Sequence, residues 1–164
     1  MFQKHSHCSY CGSRFEDLVA WPRHCEVCGN TTYLNPLPVA VVVLPVDHGV
    51  LLVRRSIPPH VGGLALPGGY INFGETWQAA AARELFEETG ITVDAEELRE
   101  FRVLSAPEGM LLIFALAQHR RREELPTHMP NAEASEWLIG DATTPVVFDL
   151  HAQVICEFMR KMHT

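Results

Sequence analysis

Residues 69–91 read GYINFGETWQAAAARELFEETGI, and this stretch decides how the 164-residue chain folds. From Thr76 to Thr89 it is rich in alanine and glutamate, with no internal Gly or Pro, so the composition predicts a helix. Thr76 is a suitable cap and Gly90 a suitable terminator; Ala79, three residues after Thr76, leaves the reciprocal capping box incomplete. Within that helix stand Glu84, Glu87 and Glu88. Residues three and four apart share a helix face, and Glu87 and Glu88, about 100° apart, can both bend toward one centre. Three like charges there repel unless something compensates them. A hard divalent cation does so, because Mg²⁺ and Mn²⁺ favour carboxylate and water oxygen; the alternative is an ordinary solvated acidic face. Gly68-Gly69 can bring backbone carbonyl and amide groups close to metal or phosphate. Arg83 can orient a carboxylate or neutralise phosphate, and Glu75 sits where the helix dipole favours an anion.

The spacing Gly, five residues, Glu, seven residues, Arg-Glu-aliphatic, one residue, Glu-Glu, one residue, Gly-aliphatic resembles the Nudix box without departure. The chain is similar to Nudix hydrolases that carry an amino-terminal zinc ribbon, including NADH, FAD and ADP-ribose pyrophosphatases. That resemblance implies an α+β fold, a Nudix α/β/α sandwich with a mixed sheet, preceded by a small zinc ribbon. It also implies that Glu84, Glu87 and Glu88 bind metal, with the Gly69 carbonyl as a further ligand and Mg²⁺ or Mn²⁺ as the ion. Glu75 and Arg83 correspond to the pair that braces loop and helix, and Gly90 to the helix terminator.

The implied reaction is hydrolysis of a nucleoside diphosphate linked to another group, with Glu84 or Glu88 accepting the proton. A glutamate from a later loop is the alternative base, and Glu108, Glu133 and Glu136 are the candidates. The SQPW-type array of the NADH enzymes is absent after the box, whereas Pro107-Glu108-Gly109 looks more like the FAD and ADP-ribose hydrolases. A non-enzymatic nucleotide-binding or regulatory module and an NADH or RNA-cap pyrophosphatase are the competing readings. A homodimer is the oligomer the resemblance implies.

The five cysteines are strongly patterned. Cys8 and Cys11 form CSYCG, Cys25 and Cys28 form CEVCG, and Cys156 stands alone. Two CxxCG units read as knuckles that close a tetrahedral Zn²⁺ site, with disulfides or a redox pair as the alternative. Metal binding would supply the folding free energy that a short segment with few apolar groups lacks. His5, His7 and His24 read as surface residues, and Cys156 as a small buried side chain on a helix rather than a nucleophile. Across residues 1–35, Lys4, Arg14 and Arg23 balance Glu16, Asp17 and Glu26. The expected organisation is a zinc ribbon over 1–35 and a Nudix hydrolase domain over 36–164.

After Asn35, two Val- and Leu-rich runs flank Asp47-His48-Gly49 and predict an antiparallel hairpin. Residues 56–74 hold three prolines and five glycines and read as a long shaped loop. Strands are expected over 98–104, 110–118 and 134–138. A final helix starts near Asp149, with Leu150, Val154, Ile155, Phe158 and Met162 on its apolar face. Arg54 and Arg55 end a strand where one can reach a diphosphate. Tyr33, Phe73, Trp77 and Trp137 can stack on a base or fill the core; His60 and His128 are loop residues without an assigned role.

The formal net charge of −7 argues against DNA as a partner and leaves a nucleotide-like small molecule. The apolar runs at 38–46 and 110–117 are far shorter than the roughly 20 residues a membrane-crossing helix needs. With no signal-peptide pattern before the first cysteine pair, the expected compartment is the cytoplasm.

Overall fold

The computed structural model describes residues 4–16, 20–107 and 109–162. The chain forms two compact units, Met1–Pro36 and Leu37–Thr164. In the first, β1 (Arg23–His24) and β2 (Thr31–Thr32) pair antiparallel. Each CxxCG segment closes a turn: the Gly12 N–H donates to the Cys8 carbonyl (3.0 Å) and the Gly29 N–H to the Cys25 carbonyl (2.8 Å). Both glycines take a left-handed backbone, with φ of 75° and 71°, which any side chain would disfavour. Phe15 packs with Cys8, Cys25 and Cys28 as the unit's small core. Arg23 lies over the Trp21 ring at 4.3 Å. Asp17 lies outside the described residues.

The second unit runs β3 (Leu37–Val43), β4 (Pro45–Val46), β5 (Gly49–Arg55), β6 (Leu64–Ala65), β7 (Gly68–Tyr70), α1 (Trp77–Thr89), β8 (Arg99–Ala106), β9 (Met110–Leu116), β10 (Ala134–Gly140) and α2 (Asp149–Met162). One sheet has the order β7-β3-β9-β8 and is mixed, because β3 and β9 run parallel while the other pairs are antiparallel. The other is antiparallel, with the order β10-β5-β4 and β6 also paired to β5. This is an α+β arrangement with a mixed sheet, a second antiparallel sheet and two helices.

The apolar run through β3 is continuous because both of its faces are buried. Ala40, Val42 and Leu44 point into a core shared with Ala80, Ala81 and Leu85 of α1. Val41 and Val43 point the opposite way, into a core shared with Val154, Ile155 and Phe158 of α2. Arg102 of β8 pairs with Glu157 of α2 and helps seat that helix. Among the described residues no helix is long and apolar enough to cross a membrane.

Three expectations are corrected here. The predicted hairpin exists only at its tip, where Pro45 and Val46 face Val50 and Gly49. The longer run belongs to the other sheet. The change of partner falls at Leu44: the Val43 carbonyl accepts from Ala117 N–H (3.0 Å), the Leu44 carbonyl accepts from Leu51 N–H (2.9 Å), and Pro45 has no N–H to offer. The segment 56–74 is not entirely loop, since β6 and β7 tie it to both sheets; β6 is only two residues long and β7 is two-thirds glycine, so neither carries a periodic side-chain signal. On α2, Met162 is exposed, while His151 is buried beside Val154 and Ile155.

His151 lies between the Phe114 and Phe148 rings, and its Nδ1 accepts the Leu66 N–H at 3.1 Å. Burial lowers its pKa from 6.5 to about 3. The native state therefore keeps this ring neutral, and its contribution to stability is complete above pH 6.5 and is lost as pH falls toward 3. One proton taken up on unfolding gives a slope of about 1.4 kcal/mol per pH unit in that window. His151→Asn, which retains an acceptor, should flatten the acid limb of thermal stability. Parallel Tm curves for the two proteins below pH 6.5 would remove this account.

Candidate active site

The site is built on α1. The Thr76 hydroxyl accepts the Ala79 N–H (3.2 Å), and Gly90 ends the helix at φ 76° while its N–H donates to the Phe86 carbonyl (2.8 Å). The inward face carries Ala80, Ala81 and Leu85, whose small or branched side chains seat the helix against β3. Glu84 and Glu88 lie on that same face and are drawn in with it, to 8% and 5% exposure. Glu87 points outward, with half of its side chain exposed.

Arg83 is the hub of the local network. Its Nε and Nη2 hold Glu75 in a two-point pair, each at 2.9 Å, and Nη2 also donates to the Tyr70 carbonyl at 3.0 Å. Its Nη1 donates to Glu84 (2.6 Å) and Glu87 (3.0 Å). Glu75 also accepts the Asn72 N–H (3.0 Å), so one guanidinium fastens the loop before α1 to the carboxylates on it. The Arg83 pairing, followed by the Asn72 N–H, holds the Glu75 carboxyl down at about 2.

The other two carboxyls shift the opposite way. Burial raises Glu84 against the pull of Arg83. Burial pushes Glu88 up to about 8, even though it accepts the Gly68 N–H at 3.0 Å, and the charges of Glu84 and Glu133 add to the rise. Gly69 lies against the Glu84 carboxyl. A Cβ there would stand 2.5 Å from the Glu84 carboxyl carbon, so only a residue without a side chain leaves the two in contact.

The three later glutamates separate by position. Glu133 exerts its charge on both Glu84 and Glu88. Glu136 is held by Arg54 at 2.6 Å. Glu108 lies outside the described residues. The two arginines that end β5 brace the next loop: Arg54 also donates to the Gly62 carbonyl (2.8 Å), and Arg55 donates to the Pro59 carbonyl (2.8 Å) beneath Phe148.

Phe73 and Tyr33 are exposed, whereas Trp77 and Trp137 pack on the α1-side core, the latter under Arg122 at 5.1 Å. His60 lies edge-on to Phe148, and His128 approaches the Ala134 carbonyl at 3.4 Å. Sequence reading missed His151 and Asn131. Neither lies in a local motif, and only their partners far along the chain reveal them.

In the other unit, the ligand atoms of Cys8, Cys11, Cys25 and Cys28 all lie within 4.8 Å of one another. Among the described residues this is the one such group of three or more potential metal ligands. Glu84, Glu87 and Glu88 stand further apart, Arg83 holding the first two and the Gly68 N–H the third. The cysteines are free thiols, with Sγ–Sγ separations of 3.7 Å for Cys8–Cys28 and 3.6 Å for Cys11–Cys25. The Ser13 hydroxyl and the backbone amides of Cys28 and Val27 lower the Cys25 thiol to about 6. The amides of Cys11 and Tyr10 lower Cys8 in the same way. Cys156 stands outside this group and, contrary to the expectation of a buried side chain, is exposed, because the buried face of α2 is taken by His151, Val154, Ile155 and Phe158.

The chain belongs to the Nudix family: residues 35–144 match the NUDIX domain. Among curated proteins it is 35% identical over 94 residues to the NAD-capped RNA hydrolase NudC of Edwardsiella ictaluri, covering 56% of this chain and 36% of that protein. It is 37% identical over 76 residues to the ADP-ribose pyrophosphatase of Methanocaldococcus jannaschii, covering 46% of this chain and 44% of that one. The matched segments thus span less than half the length of these curated relatives.

Among solved structures, a NUDIX hydrolase from Nitrosomonas europaea aligns with a TM-score of 0.74 at 26% identity, covering 96% of this chain and 92% of the other. The NUDIX domain of Shewanella oneidensis NrtR, solved with ADP ribose, aligns with a TM-score of 0.65 at 24% identity, covering 80% and 91%, and shares the fold.

Proposed function

We propose that this chain is a pyrophosphohydrolase that cleaves the P–O–P link of a nucleoside diphosphate joined to a second group, with an ADP-ribose-type compound as substrate. The observation that carries this reading is the burial of Glu84 and Glu88 under the Gly68-Gly69 backbone, beside an Arg83 already committed to Glu75. Two buried carboxyls raised by desolvation call for positive charge that the protein itself supplies only in part. An all-oxygen donor set of Glu84, Glu87, Glu88 and the Gly69 carbonyl fits Mg²⁺ or Mn²⁺. When bound, such an ion neutralises phosphate charge and acidifies water near neutral pH.

The chain's own groups do the rest. Arg83 and Glu75 keep the Gly69 loop against α1, so the carboxylates face the backbone that approaches the diphosphate. A water oxygen bonds to one phosphorus, the bridging P–O bond breaks, and two phosphate-bearing products leave. The water proton goes to a carboxylate, for which Glu133 is our choice: its charge reaches the cluster, whereas Glu136 is tied to Arg54. Cys8, Cys11, Cys25 and Cys28 hold a structural Zn²⁺, a tetrathiolate set that leaves no open position for catalysis.

Similarity to an ADP-ribose pyrophosphatase supports this substrate class, and similarity to NudC supports a second reading, hydrolysis of NAD-capped RNA. A product-resolved assay of the zinc-loaded protein with Mg²⁺ or Mn²⁺, across ADP-ribose, FAD, NADH and NAD-capped RNA, tests both. AMP and ribose 5-phosphate are expected from ADP-ribose. Binding of ADP-ribose without cleavage of any compound would turn the reading into that of a binding module.

A further inference from the structure

Asn131 lies three residues before β10, and its side-chain amide is engaged at both ends. The amide nitrogen donates to the backbone carbonyls of Glu87 (2.8 Å) and Glu88 (3.2 Å). The amide oxygen accepts the backbone N–H groups of Glu133 (2.9 Å) and Ala134 (2.8 Å). An asparagine offers two donor hydrogens and an oxygen with two lone pairs, so this one is fully used. The last carbonyls of a helix have no partner within it. At the end of α1, Gly90 N–H takes the Phe86 carbonyl and Asn131 takes the next two. The Glu133 carbonyl is held in turn by the Ser56 N–H at 2.8 Å. The backbone of the carboxylate-bearing helix end and the backbone of Glu133 therefore share one planar group.

We infer that Asn131 is a positioning residue: its amide couples the end of α1 to Glu133 and fixes where that fourth carboxylate stands relative to Glu84 and Glu88. The kinetic consequence rests on the pyrophosphohydrolase reading; the structural one does not. Aspartate would keep the acceptor, lose both donors and set a negative charge against helix-terminal carbonyls.

The test compares the full-length, zinc-loaded wild type with Asn131→Ala, Asn131→Asp, Glu133→Gln and the double variant Asn131→Ala/Glu133→Gln. With Mg²⁺ and ADP-ribose, Asn131→Ala and Asn131→Asp should each lower kcat by roughly 10- to 100-fold with little change in KM. In the Glu133→Gln background the same Asn131→Ala change should have almost no further effect on kcat. Equal losses in both backgrounds would mean that Asn131 does not act through Glu133 and would overturn the inference.

Amide hydrogen exchange supplies a readout independent of turnover. Exchange at Glu133 and Ala134 should rise roughly 10-fold or more in Asn131→Ala, a local opening well inside the global protection range, while Leu138 in the middle of β10 stays protected. Unchanged exchange at Glu133 and Ala134 would overturn the inference whatever the kinetics. If the wild type turns over no substrate, the proposed function fails, and the exchange result still decides the role of Asn131.

Discussion

Replacing Glu88 with Gln is expected to lower kcat/KM by on the order of 10²- to 10³-fold, the cost seen when one preorganised charge-stabilising group is removed. The same change should stabilise the protein when Mg²⁺ and Mn²⁺ are absent. Burial raises the Glu88 carboxyl from 4.5 to about 8. A group whose pKa is raised by folding contributes fully below its unfolded pKa, and the contribution is lost as pH rises through the folded value. The Glu88 contribution should therefore be lost between about pH 4.5 and 8, at about 1.4 kcal/mol per pH unit for one proton, so that, with the opposite His151 slope common to both proteins, metal-free Glu88→Gln gains on wild type across this window. Thermal melts at pH 5, 7 and 9, on zinc-loaded protein desalted free of Mg²⁺ and Mn²⁺, separate the two. A variant that is inactive yet no more stable than wild type at pH 9 would show that Glu88 carries no desolvation cost in the native state.

Removing zinc should have the second large effect. The first unit's described core is Phe15 packed with three of the cysteines, and four sulfurs within 4.8 Å bring their thiolates into mutual repulsion once deprotonated. In zinc-finger peptides metal binding supplies roughly 10 to 16 kcal/mol, far more than so small a core contributes. A strong chelator, or Cys25→Ser, should collapse the amide dispersion of residues 4–36 in a ¹⁵N spectrum. Leu37–Thr164 should keep its own dispersion, because two apolar clusters of its own residues hold it. Zinc content should fall from one per chain to none. Retention of native dispersion in the metal-free protein would show that the four cysteines do not support the fold through metal.

Some features of this chain were legible in its sequence because their information is local. The bounds of α1 follow from Thr76, the alanine- and glutamate-rich interior and Gly90, all within a few turns of one helix. The two CxxCG units place each cysteine pair on its own turn, so their likeness to one another is visible without the fold. The bidentate Glu75–Arg83 pair was expected from the resemblance to the Nudix box; Glu75 precedes α1 and Arg83 stands about two turns further along.

Other features exist only once distant segments meet. In the run before Asp47, Pro45 marks a break in pairing, but which sheet each part joins was not readable, since a strand buried on both faces has no alternation to read. The parallel pairing of β3 with β9 joins segments on either side of α1. The charge of Glu133 on Glu84 and Glu88, the Asn131 amide at the end of α1, and the buried His151 at Leu66 are likewise long-range. By itself the sequence determined which groups the chain has to work with and which helix carries them, because helix periodicity and turn chemistry act over a few residues. The tertiary structure decided which carboxylates lose their water and which backbone amides face them, because desolvation and hydrogen bonding depend on neighbours that only packing brings within reach.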